Sequence, residues 1–148
     1  MIEVTESVLL DAEDRLESDL TILREMGCVI SLDDFGRGYS SLAYLARLPV
    51  DVLKMDREFV AGIEGDTRSA ALVRTVVDLG SRLGMDVVAE GVETPGQLVE
   101  LSALGCRFVQ GWLIGRPVPI DRLPHVIDDF DPAVLDGPDP TMPLADVH

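Results

Sequence analysis

Six side chains able to do acid, base or metal chemistry recur at one kind of place in this chain. Glu3, the adjacent pair Asp33 and Asp34, Lys54, Glu90 and Gln110 each stand at or near the carboxyl end of a short apolar run of β type. The intervals from Glu3 through Asp33, Lys54 and Glu90 to Gln110 are 30, 21, 36 and 20 residues. Such gaps suit a strand, a crossover helix and the next parallel strand. Right-handed crossovers would bring all these ends to one rim of a parallel sheet, where α/β folds keep their chemistry.

Several carboxylates on one rim repel each other, so a cation should hold them. Lys54 supplies one positive charge. Hard divalent ions such as Mg²⁺ or Mn²⁺, which favour carboxylate oxygens, would hold them more effectively. Asp33 and Asp34 could bridge or divide two such ions, a pairing suited to phosphodiester hydrolysis. Lys54 would then orient a water, help deprotonate it, or neutralise the transition state. The same inventory serves a second chemistry, in which one metal and a lysine base abstract a proton next to a carboxylate. Spacing alone does not separate the two. Each group also has a plain explanation by itself: an Asp at a strand end often caps the next helix, and a lone Lys is usually a surface residue. The recurrence at successive strand ends argues for a site.

The elements that would position these groups follow in order. Ile2 to Glu6 alternates as a short strand. Leu9, Ala12, Leu16, Leu20, Leu23 and Met26 share one helical face, closed by Gly27. Cys28 to Leu32 is the second strand, followed by a loop with glycines at 36 and 38. A short helix from Tyr44 to Leu48 stops at Pro49, and Val50 to Asp56 is the third strand. Thr67 is the expected N-cap of a helix carrying Ala70, Val73, Val76, Val77 and Leu83 and closed by Gly84. Met85 to Glu90 is the fourth strand. Thr94-Pro95-Gly96-Gln97 reads as a capping box opening a helix that buries Leu98, Leu101 and Leu104. Cys106 to Val109 is the fifth strand, and a last helix starts at Asp121. The chain divides into a domain over residues 1–127 and an acidic, Pro- and Asp-rich tail over 128–148, which reads as disordered.

With 148 residues and 47% hydrophobic content, the chain can bury one ordinary core. The net charge of -15 argues against a DNA or RNA surface, which needs a basic footprint. A small anionic ligand remains open, because a bound divalent ion reverses the local sign. No apolar run is long enough to span a membrane, and the N-terminus lacks the regions of a signal peptide, so a cytoplasmic location is expected. Cys28 and Cys106 read as small core residues.

These segments, in this order, resemble a known family. Glu3-Val4-Thr5-Glu6-Ser7, Asp33-Asp34-Phe35-Gly36-x-Gly38-Tyr39-Ser40-Ser41-Leu42, Lys54-Met55-Asp56, Ala89-Glu90-Gly91-Val92-Glu93-Thr94 and Gln110-Gly111-Trp112-Leu113-Ile114-Gly115-Arg116-Pro117 are similar to the EAL domain. That family comprises the cyclic di-GMP phosphodiesterases of bacteria. The resemblance implies a TIM-like (β/α) barrel, here a partial barrel of about five βα units, that hydrolyses cyclic di-GMP to linear pGpG with Mg²⁺ or Mn²⁺. It implies that Glu3 ligates one metal, Asp33 bridges both, and Asp34 and Glu90 hold the second. Lys54 would contact the catalytic water, and Gln110 would support the water network. Glu6 would anchor the glycine loop (Phe35, Gly36, Gly38, Tyr39, Ser40 and Ser41), which couples metal binding to substrate binding and to homodimer formation. Glu93, Arg116 and Pro117 would lie on the substrate rim. Arg37 stands where Thr, Ala or Ser is commoner in the family.

The resemblance covers only the second half of the family domain. The Glu-Ala-Leu segment and an Asn-bearing strand, both metal-ligand sources in the family, are not in this sequence. The expectation is a truncated or mis-started piece with open sheet edges and impaired turnover. The alternative is a non-catalytic module that pairs with another chain or binds cyclic di-GMP without turnover.

Overall fold

The computed structural model describes residues 1–6, 15–36 and 42–133. Arg37, Gly38, Tyr39, Ser40 and Ser41 of the glycine loop lie outside the described residues, as do Leu9, Ala12 and the tail from residue 134.

Five strands, β1 (Ile2–Thr5), β2 (Ile30–Phe35), β3 (Val52–Met55), β4 (Asp86–Ala89) and β5 (Phe108–Val109), form one sheet. Every neighbouring pair is parallel. Their spatial order equals their sequence order. A doubly wound sheet reverses its order at a switch point, whereas a barrel does not. The observed order is that of a stretch of barrel wall. The helices are α1 (Arg15–Glu25), α2 (Leu42–Leu45), α3 (Arg57–Ala61), α4 (Thr67–Leu83), α5 (Pro95–Ala103) and α6 (Leu123–Asp128).

Strand alternation sorts the residues of this wall into two faces. Ile30, Leu32, Leu53, Met55 and Ala89 are fully buried and join Leu20, Val60, Val73, Leu98 and Leu101 from the helices in one core. The opposite face carries Glu3 and Ser31, which pair in register, then Val52, Lys54 and Val88. It is polar at the rim and apolar below, and Val29 and Phe108 on it are exposed. Lys54 thus sits between two strand neighbours, Leu53 and Met55, whose side chains are locked into the helix-side core.

Helix boundaries depart from the sequence reading where local hydrogen bonds compete. Asp66, not Thr67, caps α4: its carboxylate accepts the N–H groups of Arg68 and Ser69 at 3.0 and 3.2 Å, leaving Thr67 as the first helical residue. Asp56 caps α3, a helix the periodicity does not show because only five residues form it. The helix expected over Tyr44 to Leu48 is instead α2, and residues 46–48 tighten into turns before Pro49. Helix α6 begins at Leu123 rather than Asp121, with no side-chain cap. Met26 lies beyond the end of α1 and is exposed, so it leaves the apolar face assigned to it. Thr94 and Gln97 form the expected capping box on α5, and Gly84 adopts the left-handed C-cap of α4.

Leu53 is the most sensitive core position for the site, because it fixes the strand that carries Lys54. Leu53→Ala should lower the unfolding free energy by about 2–5 kcal/mol in a urea titration. A loss below about 1 kcal/mol would contradict the packing described.

Candidate active site

The rim geometry starts with an irregularity in β2. Leu32 pairs with Leu53, but Phe35 pairs with Met55, so β2 carries one extra residue at the Asp33–Asp34 step. In an unbroken strand these neighbours would point to opposite faces. The bulge changes that, with Asp34 at φ 56, the one non-glycine with positive φ among the described residues. Asp is among the few residues that tolerate this conformation, and at a strand end it marks a backbone held for a purpose. The next turn is fixed from below: the Gly36 N–H donates to Glu6 Oε2 at 2.9 Å, and Glu6 is buried. Gly36 has φ 104, and a Cβ there would run into the Phe59 ring.

Lys54 is the centre of the rim. Its Nζ lies 3.2 Å from Glu3 Oε1, 2.9 Å from Asp33 Oδ1 and 2.8 Å from Glu90 Oε1. These partners come from β1, from β2 and from the residue after β4, so four successive strands meet at one nitrogen. Burial pushes the ammonium toward deprotonation, but the hydrogen bonds to Glu90, Asp33 and Glu3 outweigh it and hold its pKa well above the ordinary lysine value. Glu90 is held twice, since Gln110 Nε2 donates to the same Oε1 at 2.7 Å.

The loop bearing Glu90 and Glu93 is tied on both sides. The Val92 N–H donates to the Gln110 carbonyl at 3.1 Å, and the Leu113 N–H to the Val92 carbonyl at 3.0 Å. A Cβ at Gly111 would overlap the Val92 backbone, so this approach requires glycine there. Gln97 Oε1 accepts the N–H groups of Glu93 and Thr94 at 2.8 and 3.1 Å. The Glu93 side chain itself is exposed.

A cleft of about 870 Å³ opens beside Glu90 and Gln110, and Glu93, Arg116 and Pro117 also line it. It meets the Lys54 cluster at Glu90; Glu3, Asp33 and Asp34 are not among its walls. Two further wall residues carry chemistry that the sequence reading left without a role. Asp56 is buried and stands two residues after Lys54, just past the end of β3, where its carboxylate accepts the Glu58 N–H at 2.8 Å. Trp112 is exposed, and the Arg116 guanidinium lies 4.2 Å from its ring centroid. The signals were the Lys-x-Asp spacing and an aromatic next to a strand-end glycine.

The donor set suits a hard divalent ion, because Glu3, Asp33, Asp34 and Glu90 offer only carboxylate oxygen. The arrangement shows three of these acids turned to the ammonium. Among the described residues, no three acids, histidines or cysteines gather as the ligands of one ion. The donor chemistry fits, and the Lys54 ammonium supplies the positive charge among these acids.

Two predictions test this rim. Asp34→Gly should be more stable than Asp34→Ala by about 1–2 kcal/mol in paired denaturant titrations, because only glycine is free of the left-handed penalty. Equal stabilities would remove the strain argument. Lys54→Met should lower the melting temperature. Because the folded-state pKa of Lys54 is raised, its contribution is complete below the ordinary value of 10.5 and is lost only as pH rises beyond it. The gap between wild type and Lys54→Met should therefore be flat from about pH 7 to about pH 9.5. A gap that closes within that range would contradict the ammonium network.

Comparison with known proteins gives this geometry its relatives. The EAL domain model matches residues 1–117. The cyclic di-GMP phosphodiesterase NbdA of Pseudomonas aeruginosa is 47% identical over 122 residues, which make up 82% of this chain and 16% of NbdA. The solved MucR phosphodiesterase of the same organism, in complex with cyclic di-GMP, is 49% identical with a TM-score of 0.76. That match covers 82% of this chain and 49% of the MucR chain. Klebsiella pneumoniae BlrP1, solved with manganese and cyclic di-GMP, is 41% identical with a TM-score of 0.73. Here 78% of this chain and 30% of the BlrP1 chain are covered. The chain thus spans about a sixth of NbdA and half or less of these solved chains. The five-stranded sheet is a portion of a TIM-type barrel wall, and the chain belongs to the EAL domain family.

Proposed function

We propose that the rim hydrolyses cyclic di-GMP to linear pGpG. The observation that carries this reading is the convergence of Glu3 in β1, Asp33 in β2 and Glu90 just after β4 on Lys54. The relatives solved with cyclic di-GMP support it, as does the manganese present with BlrP1. Two divalent ions, Mg²⁺ or Mn²⁺, would be held by Glu3, Asp33, Asp34 and Glu90, with Asp33 shared. When bound they supply an activated water and neutralise charge on the phosphate.

The chain's own residues do the rest. Gln110 keeps the Glu90 carboxylate in place through its 2.7 Å hydrogen bond. The Lys54 ammonium, whose hydrogen bonds to Glu90, Asp33 and Glu3 favour its charged form, would provide a positive charge to the phosphate. The cleft takes the dinucleotide along Glu93, Trp112, Arg116 and Pro117, and Arg116 offers a cation at its edge. Glu6 holds Gly36, the first turn of the loop that would couple substrate binding to a homodimer. The reading places the chain in the bacterial cytoplasm, as one domain over residues 1–127 followed by the acidic tail. Among the described residues, no helix is long and apolar enough to cross a membrane.

A second reading has one observation in its favour, since Glu3, Asp33 and Asp34 lie outside the walls of the cleft that would take the dinucleotide. It makes the chain a module that binds cyclic di-GMP or a partner without turnover. Chromatography of products after incubation with cyclic di-GMP and Mn²⁺ separates the two. The first reading expects pGpG, formed more slowly than by MucR, with a loss of at least about 100-fold in Lys54→Met. Cyclic di-GMP bound by the wild type but recovered intact would establish the second and end the first.

A further inference from the structure

Lys54 is the only lysine in the chain, while arginine supplies the other eleven basic side chains. An ammonium has three protons to donate, and three carboxylate oxygens lie between 2.8 and 3.2 Å from Nζ. Glu3, Asp33 and Glu90, which take those contacts, are three of the four residues assigned above to divalent ions. One point between them can hold one cation at a time. The residue type matters. The rigid fork of an arginine matches one carboxylate, whereas a compact ammonium on a flexible stem can gather three and can withdraw by changing rotamers.

We propose that Lys54 is the built-in counter-cation of the metal-free site, and that a divalent ion enters only as Lys54 gives up Glu3, Asp33 and Glu90. This inference rests on the two-ion reading of the rim. Lys54 thereby has two successive positions. In the first it neutralises the acids and closes the rim. In the second it stands beside the ion-filled site with its ammonium turned to substrate. Cation supply then sets how much of the protein is open to substrate, an autoinhibitory contact made by one side chain. A lysine that only orients water predicts otherwise, because its contacts with Glu3, Asp33 and Glu90 would persist when ions bind and its ammonium proton exchange would not speed up.

Two measurements on the full chain test the exchange. In calorimetric titration, Lys54→Met should bind Mn²⁺ roughly tenfold tighter than the wild type or better, since a competing positive charge is gone. Its metal-free melting temperature should be lower and should recover more on addition of Mn²⁺. Lys54→Arg should show no such gain in affinity. On the wild type, ¹⁵N-lysine labelling gives a single side-chain ammonium signal, and saturating Mg²⁺ should shift it and speed its proton exchange. That measurement decides the matter if Lys54→Met does not fold. Equal or weaker Mn²⁺ binding by Lys54→Met, or a lysine signal unmoved by Mg²⁺, overturns the proposal. Absence of ion binding in both proteins overturns it together with the two-ion reading. Failure to form pGpG while these ion effects hold would overturn the hydrolase reading alone.

Discussion

Parallel strands carry their carboxyl ends to one rim, so the acids of this protein have no choice but to meet. What allows them to do so is the Lys54 ammonium, placed on β3 between β2 and β4. Strand spacing fits the residue types on the β1 and β2 side. Asp33 comes from the adjacent strand, and a short side chain suffices. Glu3 comes from β1, two strands away and roughly 10 Å across the sheet, so a longer acid must reach it. Lys54 is buried, but Glu3 is exposed and Asp33 and Glu90 are half-buried, so solvent screens the cluster and removing one acid costs less than the roughly 3–5 kcal/mol of a fully buried pair. The rim is therefore a single electrostatic unit.

The backbone is shaped around that unit. The extra residue in β2 and the left-handed Asp34 break the strand at the two consecutive acids. Such conformations persist when their surroundings over-determine them. Here the constraint comes from both sides, with Phe35 buried in the core and Gly36 bound by the buried carboxylate of Glu6. The loop after β4 follows the same logic. Gln97 does two jobs, capping α5 and holding the Glu93 N–H, so the start of the helix and the edge of the cleft are fixed by one side chain.

Much of this was legible in the sequence, because period-2 runs ending in polar residues at βα spacing locate both the strands and the rim. Glu3, Asp33, Lys54, Glu90 and Gln110 stood out for that reason, and four of these strand-end groups are in direct contact with the fifth or with one another. Spacing by itself does not choose between barrel and open sheet, since both use the same repeating unit; the resemblance to the EAL domain implies the barrel, and the strand order agrees with it. The bulge was not legible, because a one-residue register shift leaves the hydrophobic pattern of β2 intact. Asp56 went without a role because it read as the end of the third strand, whereas it caps α3 and lines the cleft. Trp112 escaped because an isolated aromatic has no periodicity to betray it.

The two faces of the sheet do different work, and this separates stability from chemistry. Leu53, Met55, Val87 and Ala89 pack against the helices and anchor the strands that bear Lys54 and Glu90. The opposite face, with Val29 and Phe108 exposed and Val52 and Val88 half-buried, contributes less apolar burial among the described residues. The backbone under the rim is thus set from the helix side. The side chains above it are set by charge. A substitution in the helix-side core moves every rim residue at once, whereas a change at the rim alters how the acids are balanced while leaving the strands where they are. An ion that replaced the Lys54 ammonium would change only the second of these, and the wall that carries the site would need no refolding.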